Sequence, residues 1–175
     1  MDKSIMPECY ADTLLIQTLV PTKEGYNHKH NCFKVESGVK GINGFAVGII
    51  DKDKKMIKYL GDFDVIDKVE GSLILWKHPQ KPHYFIQLCP ALEKLVLKIC
   101  LTEKIDIGKY GFGNDINAFK SYTKSRTSIF DKNLIGLFQE LSDKNECLEI
   151  RKLKGWVKML KEKNYQVDIN DLKNV

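Results

Sequence analysis

The segment that most constrains how this chain can fold is an unbroken apolar run from Phe45 to Ile50, which follows Gly44 and ends at Asp51 and Asp53. Because the run is short and contains Val and Ile, it favours a β-strand over a helix. No polar residue interrupts it, so the strand is predicted to be buried on both faces, as in a parallel sheet. Open α/β sheets bind ligands at the carboxyl ends of their strands, which is where the two aspartates fall.

The Asp51-x-Asp53 pair at this strand end is a candidate metal site. Residues i and i+2 of a strand point to the same side, about 6–7 Å apart at ~3.3 Å per residue. Mg²⁺ takes one or two carboxylates and fills its other positions with water and substrate phosphate, and Mn²⁺ accepts the same oxygen ligands. The alternative is a solvated turn, because Lys52, Lys54 and Lys55 give the segment the composition of a loop.

The composition is that of one globular domain in a reducing compartment. The 175 residues are 43% hydrophobic and 29% charged, which are globular values. The net charge is +5, and only Arg126 and Arg151 among the 28 basic residues are arginine, so phosphate-backbone binding is permitted but not required. Five scattered cysteines without a Cys-x-x-Cys pair indicate free thiols in the cytoplasm. No apolar run approaches the ~20 residues of a membrane span, so a membrane is not expected as a partner.

Hydrophobic periodicity predicts strands that alternate with helices up to about residue 105. A helix is predicted from about Ala11 until Pro21 stops it. Strands are predicted near Cys32–Val35, at Ser72–Trp76 and at His83–Leu88. Because strands that alternate with helices form parallel βαβ units, the expected fold class is α/β with a mostly parallel sheet.

The chain turns wholly helical after a glycine-rich break at residues 108–113. Two helices are predicted there, each with one apolar face: Leu134, Leu137, Phe138 and Leu141 on the first, and Leu153, Trp156, Val157 and Leu160 on the second. We therefore expect residues 1–105 to form an α/β core and residues 106–175 a helical extension that packs on it, as a single compact unit.

An acidic motif precedes the central strand. Glu8 ends the first short segment, and Asp12 lies four residues further along, inside the first predicted helix. Together with the Asp-x-Asp pair, this pattern resembles the Toprim domain of topoisomerases, primases and OLD-type nucleases. The resemblance covers roughly residues 4–100 and departs from the family at Cys9, where glycine is usual. It implies a Toprim-like, mostly parallel sheet flanked by helices, to which the helical C-terminal extension has no counterpart.

The resemblance also implies roles for the acidic residues. It makes Glu8 the general acid/base, places Mg²⁺ on Asp51 and Asp53, and gives Asp12 a binding or supporting role in the first helix. Glu93 is a further candidate metal ligand, because some OLD-like proteins carry another acidic residue in a helix after the core strands. The alternative for Glu93 is that it complements the dipole of a helix N-terminus.

Basic residues near the carboxylates are candidate phosphate ligands. Lys52 and Lys54 flank the aspartates in the sequence. Lys77 and His78 follow a neighbouring apolar strand, so they are expected to open onto the same edge of the sheet and to bind phosphate or donate a proton. The alternative for Lys77 and His78 is a surface turn before a proline.

The loop before Cys32 carries His28 and His30, so three soft ligands alternate along the chain. Their spacing matches neither Cys-x₂₋₄-Cys nor His-x₃₋₅-His, so a zinc site is not predicted. A polar loop and a histidine contact to phosphate are the alternatives.

These features predict a Mg²⁺-dependent enzyme that acts on nucleic acid by phosphoryl transfer, a small OLD-like nuclease. The alternative is a non-catalytic Toprim-like module for nucleic-acid binding or assembly, which the departure at Cys9 favours. A haloacid-dehalogenase-type phosphatase is rejected because Lys55 stands where its motif has Thr or Val. An EF-hand loop is rejected because Met56 stands where glycine is required.

Overall fold

A five-stranded sheet organises the chain in this computed structural model, which describes residues 3–52, 57–113 and 116–175. In chain order the strands are β1 (Ile5–Pro7), β2 (Ala46–Asp51), β3 (Asp64–Val69), β4 (Leu73–Lys77) and β5 (His83–Leu88). Their order across the sheet is β1-β2-β5-β4-β3. The fold is therefore of the α/β class, as the sequence predicts.

The sheet is mixed. Strands β1, β2 and β5 run parallel to one another, whereas β4 is antiparallel to both β5 and β3. The expected mostly parallel sheet is thus present on one side only. Connection length explains the difference: residues 70–72 join β3 to β4 and residues 78–82 join β4 to β5, whereas a parallel crossover needs about a dozen residues or more.

The helices lie between and after these strands. They are α1 (Tyr10–Leu19), α2 (Cys32–Lys40), α3 (Leu92–Thr102), α4 (Ile116–Thr123), α5 (Lys132–Ser142), α6 (Leu148–Lys163) and α7 (Ile169–Lys173). Short 3₁₀ turns occupy Lys58–Asp62, Ile107–Tyr110, Ser128–Phe130 and Asn164–Gln166. In the part of the chain that the structure describes, no helix combines the length and the apolar character that crossing a membrane requires.

The apolar strand β2 is buried on both faces, as its sequence predicts. Val47 and Ile49 face one hydrophobic core, and Ala46 and Ile50 face a second core on the other side of the sheet. Between them, Gly48 lies so close to Phe85 of β5 that a Cβ atom at this position would overlap the aromatic ring. The sheet is therefore the middle layer of the molecule.

The two cores differ in size and origin. The smaller core, which packs α2 and the turn at residues 58–62 on the sheet, contains Met6, Val35, Val39, Ala46, Ile50, Ile57, Tyr59, Leu60, Phe63 and Phe85. The larger core joins the other sheet face to α1 and α3 and to the apolar faces predicted for the two C-terminal helices, all of which are buried. Trp156 is 0% exposed there, and its indole N–H donates to the carbonyl of Leu172 at 2.9 Å.

The strand predicted near Cys32–Val35 is wrong, because this segment opens helix α2. The side chain of Asn31 accepts a hydrogen bond from the backbone N–H of Lys34 and so caps the helix. Val35 and Val39, one helical turn apart, are then both buried against the sheet. The capping residue and the four-residue spacing outweigh the β-propensity of a single valine.

Candidate functional site

Glu8 and Asp51 meet at the carboxyl ends of neighbouring parallel strands. Pro7 of β1 pairs with Ile49 of β2, so the residues that follow each strand leave the sheet at the same edge. The backbone N–H of Asp51 donates to Oε2 of Glu8 at 3.1 Å. The topology therefore brings together the two residues to which the sequence assigns the acid/base and metal-binding roles.

Asp51 also contacts the start of helix α3. Its Oδ1 atom accepts a hydrogen bond from the backbone N–H of Leu92 at 2.9 Å, which is one of the donors that a helix N-terminus leaves unpaired. Asp51 is thus bound to Glu8, at the end of β1, through its backbone and to the beginning of α3 through its carboxylate. This position is the ligand-binding edge expected for the parallel part of an α/β sheet.

Asp12 has a structural contact that the sequence only partly predicts. It forms a capping box with Cys9: the N–H of Cys9 donates to Oδ2 of Asp12 at 2.9 Å, and the N–H of Asp12 donates to Sγ of Cys9 at 3.3 Å. Cys9 is therefore the N-cap of α1. Asp12 is only 1% exposed, and its other oxygen, Oδ1, has no hydrogen-bond partner among the described residues.

Glu93 links the sheet edge to the helical extension. It lies in the first turn of α3 and is 7% exposed. The hydroxyl of Thr123, the last residue of α4, donates to Oε1 of Glu93 at 2.7 Å. Glu93 therefore lies at a helix N-terminus, where it complements the helix dipole, and also lines a cleft, where a metal ligand is expected.

These elements enclose a cleft of ≈ 480 Å³. Its floor carries the carboxylates of Glu8, Asp51 and Glu93, and residues of two other kinds form its walls. One wall is basic, with Lys120, Lys124 and Arg126 from α4 and the segment after it; the other is aromatic, with Tyr10, His28 and His30. We call these the basic wall and the aromatic wall.

Crowded carboxylates dominate the electrostatics of the floor. Burial, followed by the charges of Asp12 and Glu8, raises the pKa of Asp51 to about 9, against the smaller opposing effect of the hydrogen bond from Leu92. Burial also raises the pKa of Asp12 to about 7, and the nearby charges of Glu8 and Glu93 contribute to this increase. Burial and Asp12 likewise raise the pKa of the Cys9 thiol. The floor is thus a site that gains from a proton or a cation.

The aromatic wall is a compact stack of rings. The rings of Tyr10 and His28 are stacked with centroids 3.9 Å apart and an interplanar angle of 28°. His30 lies edge-on to His28 at 4.1 Å and 70°. Cys32, the third member of the alternating trio, instead opens α2 and packs against the smaller core.

Two predicted phosphate ligands lie at the opposite edge of the sheet. Because β4 is antiparallel to β5, Lys77 pairs with Tyr84 near the start of β5, whereas Asp51 pairs with Leu88 at its end. Lys77 and His78 are therefore not at the carboxylate edge where the sequence placed them. The Nδ1 atom of His78 accepts hydrogen bonds from the backbone N–H groups of the following turn, as the alternative interpretation expects.

Lys52 is exposed and lines a separate depression of ≈ 420 Å³ with Lys68, Glu70 and Cys89. It is therefore not part of the cleft. Asp53 and Lys54, for which the sequence analysis predicts metal and phosphate binding, lie outside the described residues.

The donor set on the floor suits a hard cation. Glu8 and Asp51 are neighbouring carboxylates that both line the cleft, and Asp12, beneath them, adds a buried acceptor in its unpaired Oδ1 atom. Within the described residues no three His, Cys, Asp or Glu side chains form a group that could hold a metal ion. Mg²⁺, however, needs only one or two carboxylates, since water and substrate phosphate complete its coordination. The chemistry of the floor thus fits this ion.

The basic wall is the feature that the sequence interpretation missed. Lys120 lies in the last turn of α4, Lys124 directly follows this helix, and Arg126 is one of only two arginines in the chain. This clustering is a usable signal, but it gives no indication that α4 folds back over the strand ends. Comparison of the chain with known protein families, with curated proteins and with solved structures gives no match.

Proposed function

We propose that this protein is a Mg²⁺-dependent enzyme that transfers phosphoryl groups in nucleic acid, a small nuclease of the Toprim-like, OLD type. The observation that carries the proposal is the meeting of Glu8 and Asp51 at one sheet edge, beneath a cleft with a basic wall. The parallel strands β1, β2 and β5 and the helix that follows Glu8 support the Toprim-like interpretation. The basic wall supports a polyanionic substrate, because lysine and arginine are the usual phosphate contacts.

The residues of the floor have different proposed roles in metal binding and proton transfer. Asp51, with Asp53 in the sequence motif, would hold Mg²⁺, and Glu93 would contribute a further carboxylate from the start of α3. When bound, Mg²⁺ neutralises charge on the phosphoryl oxygens as a Lewis acid. Glu8 accepts or donates the proton of the attacking or leaving hydroxyl, which its half-buried position at the cleft permits.

Cleavage of labelled oligonucleotides tests this proposal. We expect cleavage with Mg²⁺ or Mn²⁺, none with EDTA, and loss of activity in Glu8→Gln and in Asp51→Asn. Glu162→Gln is the matched control, because Glu162 is an exposed acidic residue on α6 outside the cleft. Activity that survives in both floor variants would refute the proposed site.

A non-catalytic nucleic-acid-binding module is the second candidate. Two observations favour it: the described residues hold no ready-made group of three metal ligands, and the pKa of Asp51 is raised enough to keep this carboxyl protonated at neutral pH. Such a module would bind oligonucleotides equally well in Mg²⁺ and in EDTA and would never cleave them. The same cleavage assay, run beside a binding assay, separates the two candidates.

A further inference from the structure

Two members of the aromatic wall, Tyr10 and His28, form a stacked pair of rings. Burial, with a smaller contribution from the charge of His30, lowers the pKa of His28 to about 4. The imidazole of His28 is therefore neutral at physiological pH, so it is unsuited to neutralise a phosphate. Stacked on Tyr10, it instead contributes a neutral aromatic ring to the lining of the cleft.

The backbone holds this wall in an unfavourable conformation. His30 has φ = 77°, in the left-handed region that residues with a side chain seldom adopt. Such strain persists only where the surrounding structure imposes it, and it concentrates at functional sites. Here it places an exposed imidazole against the edge of the Tyr10–His28 stack, at the mouth of the cleft.

The basic wall lines the same cleft with cations that form no ion pair among the described residues. None of the ion pairs between described residues uses Lys120, Lys124 or Arg126. Arg126 is exposed and carries the planar fork that binds phosphate through two hydrogen bonds. The cleft therefore combines the Tyr10–His28 stack, cations without an ion-pair partner among the described residues, and the acidic floor within ≈ 480 Å³.

We propose that the cleft binds single-stranded nucleic acid, with an unpaired base stacked on Tyr10 and His28 and the adjoining phosphates on Lys120, Lys124 and Arg126. This inference rests on the proposed function, because it specifies the substrate class of the same site. Single strands expose the base faces that an aromatic platform needs, whereas a duplex hides them in its own stack. The volume of the cleft is that of a pocket for one small ligand, which suits one or two splayed nucleotides.

Equilibrium binding measured in EDTA tests the inference without requiring catalysis. Fluorescence anisotropy would compare labelled single-stranded DNA, single-stranded RNA and a duplex of equal length at the same salt concentration. We expect at least one of the single strands to bind about tenfold or more tightly than the duplex. Equal affinity for the duplex and both single strands would overturn the inference.

Two pairs of variants separate stacking from charge. His28→Ala should weaken single-strand binding about tenfold, which corresponds to one lost base stack, whereas His28→Phe should keep the wild-type affinity because it retains the ring. Arg126→Glu should reduce the slope of log K against log[salt] by about 0.7 for each lost phosphate contact. Arg151→Glu is the control: it reverses the charge of the second arginine, which does not line the cleft, and it should leave the slope unchanged. Wild-type affinity in His28→Ala, or equal slopes in the two arginine variants, would contradict the inference.

The outcomes for this inference and for the proposed function are distinguishable. Single-strand binding that depends on both walls, without cleavage in Mg²⁺, would refute the proposed nuclease activity and support the inferred substrate class. Cleavage in Mg²⁺ without a preference for single strands would support the nuclease activity and refute the inferred substrate class.

Discussion

Replacing Asp51 by asparagine should stabilise the metal-free protein at neutral pH. Burial and the neighbouring carboxylates raise the pKa of Asp51 from its ordinary 3.8 to about 9. At pH 7 the unfolded chain carries this group ionised, so folding must either protonate it or bury its charge. Asparagine has no charge in either state, and its Oδ1 atom can still accept the hydrogen bond from Leu92.

The size of this effect follows from proton linkage. At pH 7 the carboxyl lies about three pH units above its ordinary pKa, and each unit is worth about 1.4 kcal/mol, so the full cost is about 4 kcal/mol. Because Asp12 and Glu8 share the repulsion, we expect a gain of about 2–4 kcal/mol in the free energy of unfolding. Because the pKa of Asp51 is raised on folding, its contribution to stability is fully present below pH 3.8 and is lost as the pH rises from there to about 9. The advantage of Asp51→Asn should therefore be absent at pH 3.5 and large at pH 7.5.

Urea melts of wild type and Asp51→Asn at these two pH values, in EDTA, measure the effect. Glu162→Gln is the control, because it removes an exposed carboxylate and should change little at either pH. In a second set, Mg²⁺ at ten times its Kd should add about 1.4 kcal/mol to wild type and nothing to Asp51→Asn. A variant that is less stable than wild type at pH 7.5, or equally shifted at both pH values, would refute the account of a strained carboxylate.

Three further outcomes follow from the packing and the topology. Trp156→Ala should cost roughly 3–5 kcal/mol in a urea melt, because the ring is fully buried; a loss below ~1 kcal/mol would make the extension peripheral. Gly48→Ala should cost about 1–3 kcal/mol, because a methyl group there overlaps an aromatic ring, whereas the control Gly61→Ala meets open space; equal melts of the two would contradict the packing. Lys77→Ala should leave oligonucleotide cleavage at the wild-type rate, whereas Lys120→Ala should raise KM; a reduced rate in Lys77→Ala alone would return the site to the other sheet edge.

The pairing of Glu8 with Asp51 could be anticipated because it depends on local signals. The apolar run of β2 ends at Asp51, and Glu8 follows a segment too short to be anything but an edge strand. Once both strands lie parallel in one sheet, the two carboxylates must leave it at the same edge. The residue type, the strand end and the strand direction together determine this part of the site.

The direction of β4 and the position of the basic wall required information of another kind. The connection at residues 78–82 is too short for a parallel crossover, so β4 and β5 must be antiparallel. Loop length alone therefore predicts that Lys77 lies at the sheet edge opposite the carboxylates. The basic wall was not readable in this way. Its location depends on how the segment after residue 105 folds back onto the sheet, and long-range packing of apolar faces decides that. The sequence shows that Lys120, Lys124 and Arg126 are close together along the chain, but not which part of the sheet they lie against.

The hydrogen bond between Thr123 and Glu93 has a consequence for how such a site can diversify. The acidic floor comes from residues 1–105 and the basic wall from residues 106–175, and this buried contact ties the first turn of α3 to the last turn of α4. The position of α4 thus depends on how this helix packs on α3, whereas Glu8 and Asp51 are held together at the edge of the sheet. Substitutions beneath α4 can therefore change which polymers enter the cleft, while Glu8 and Asp51 stay in place.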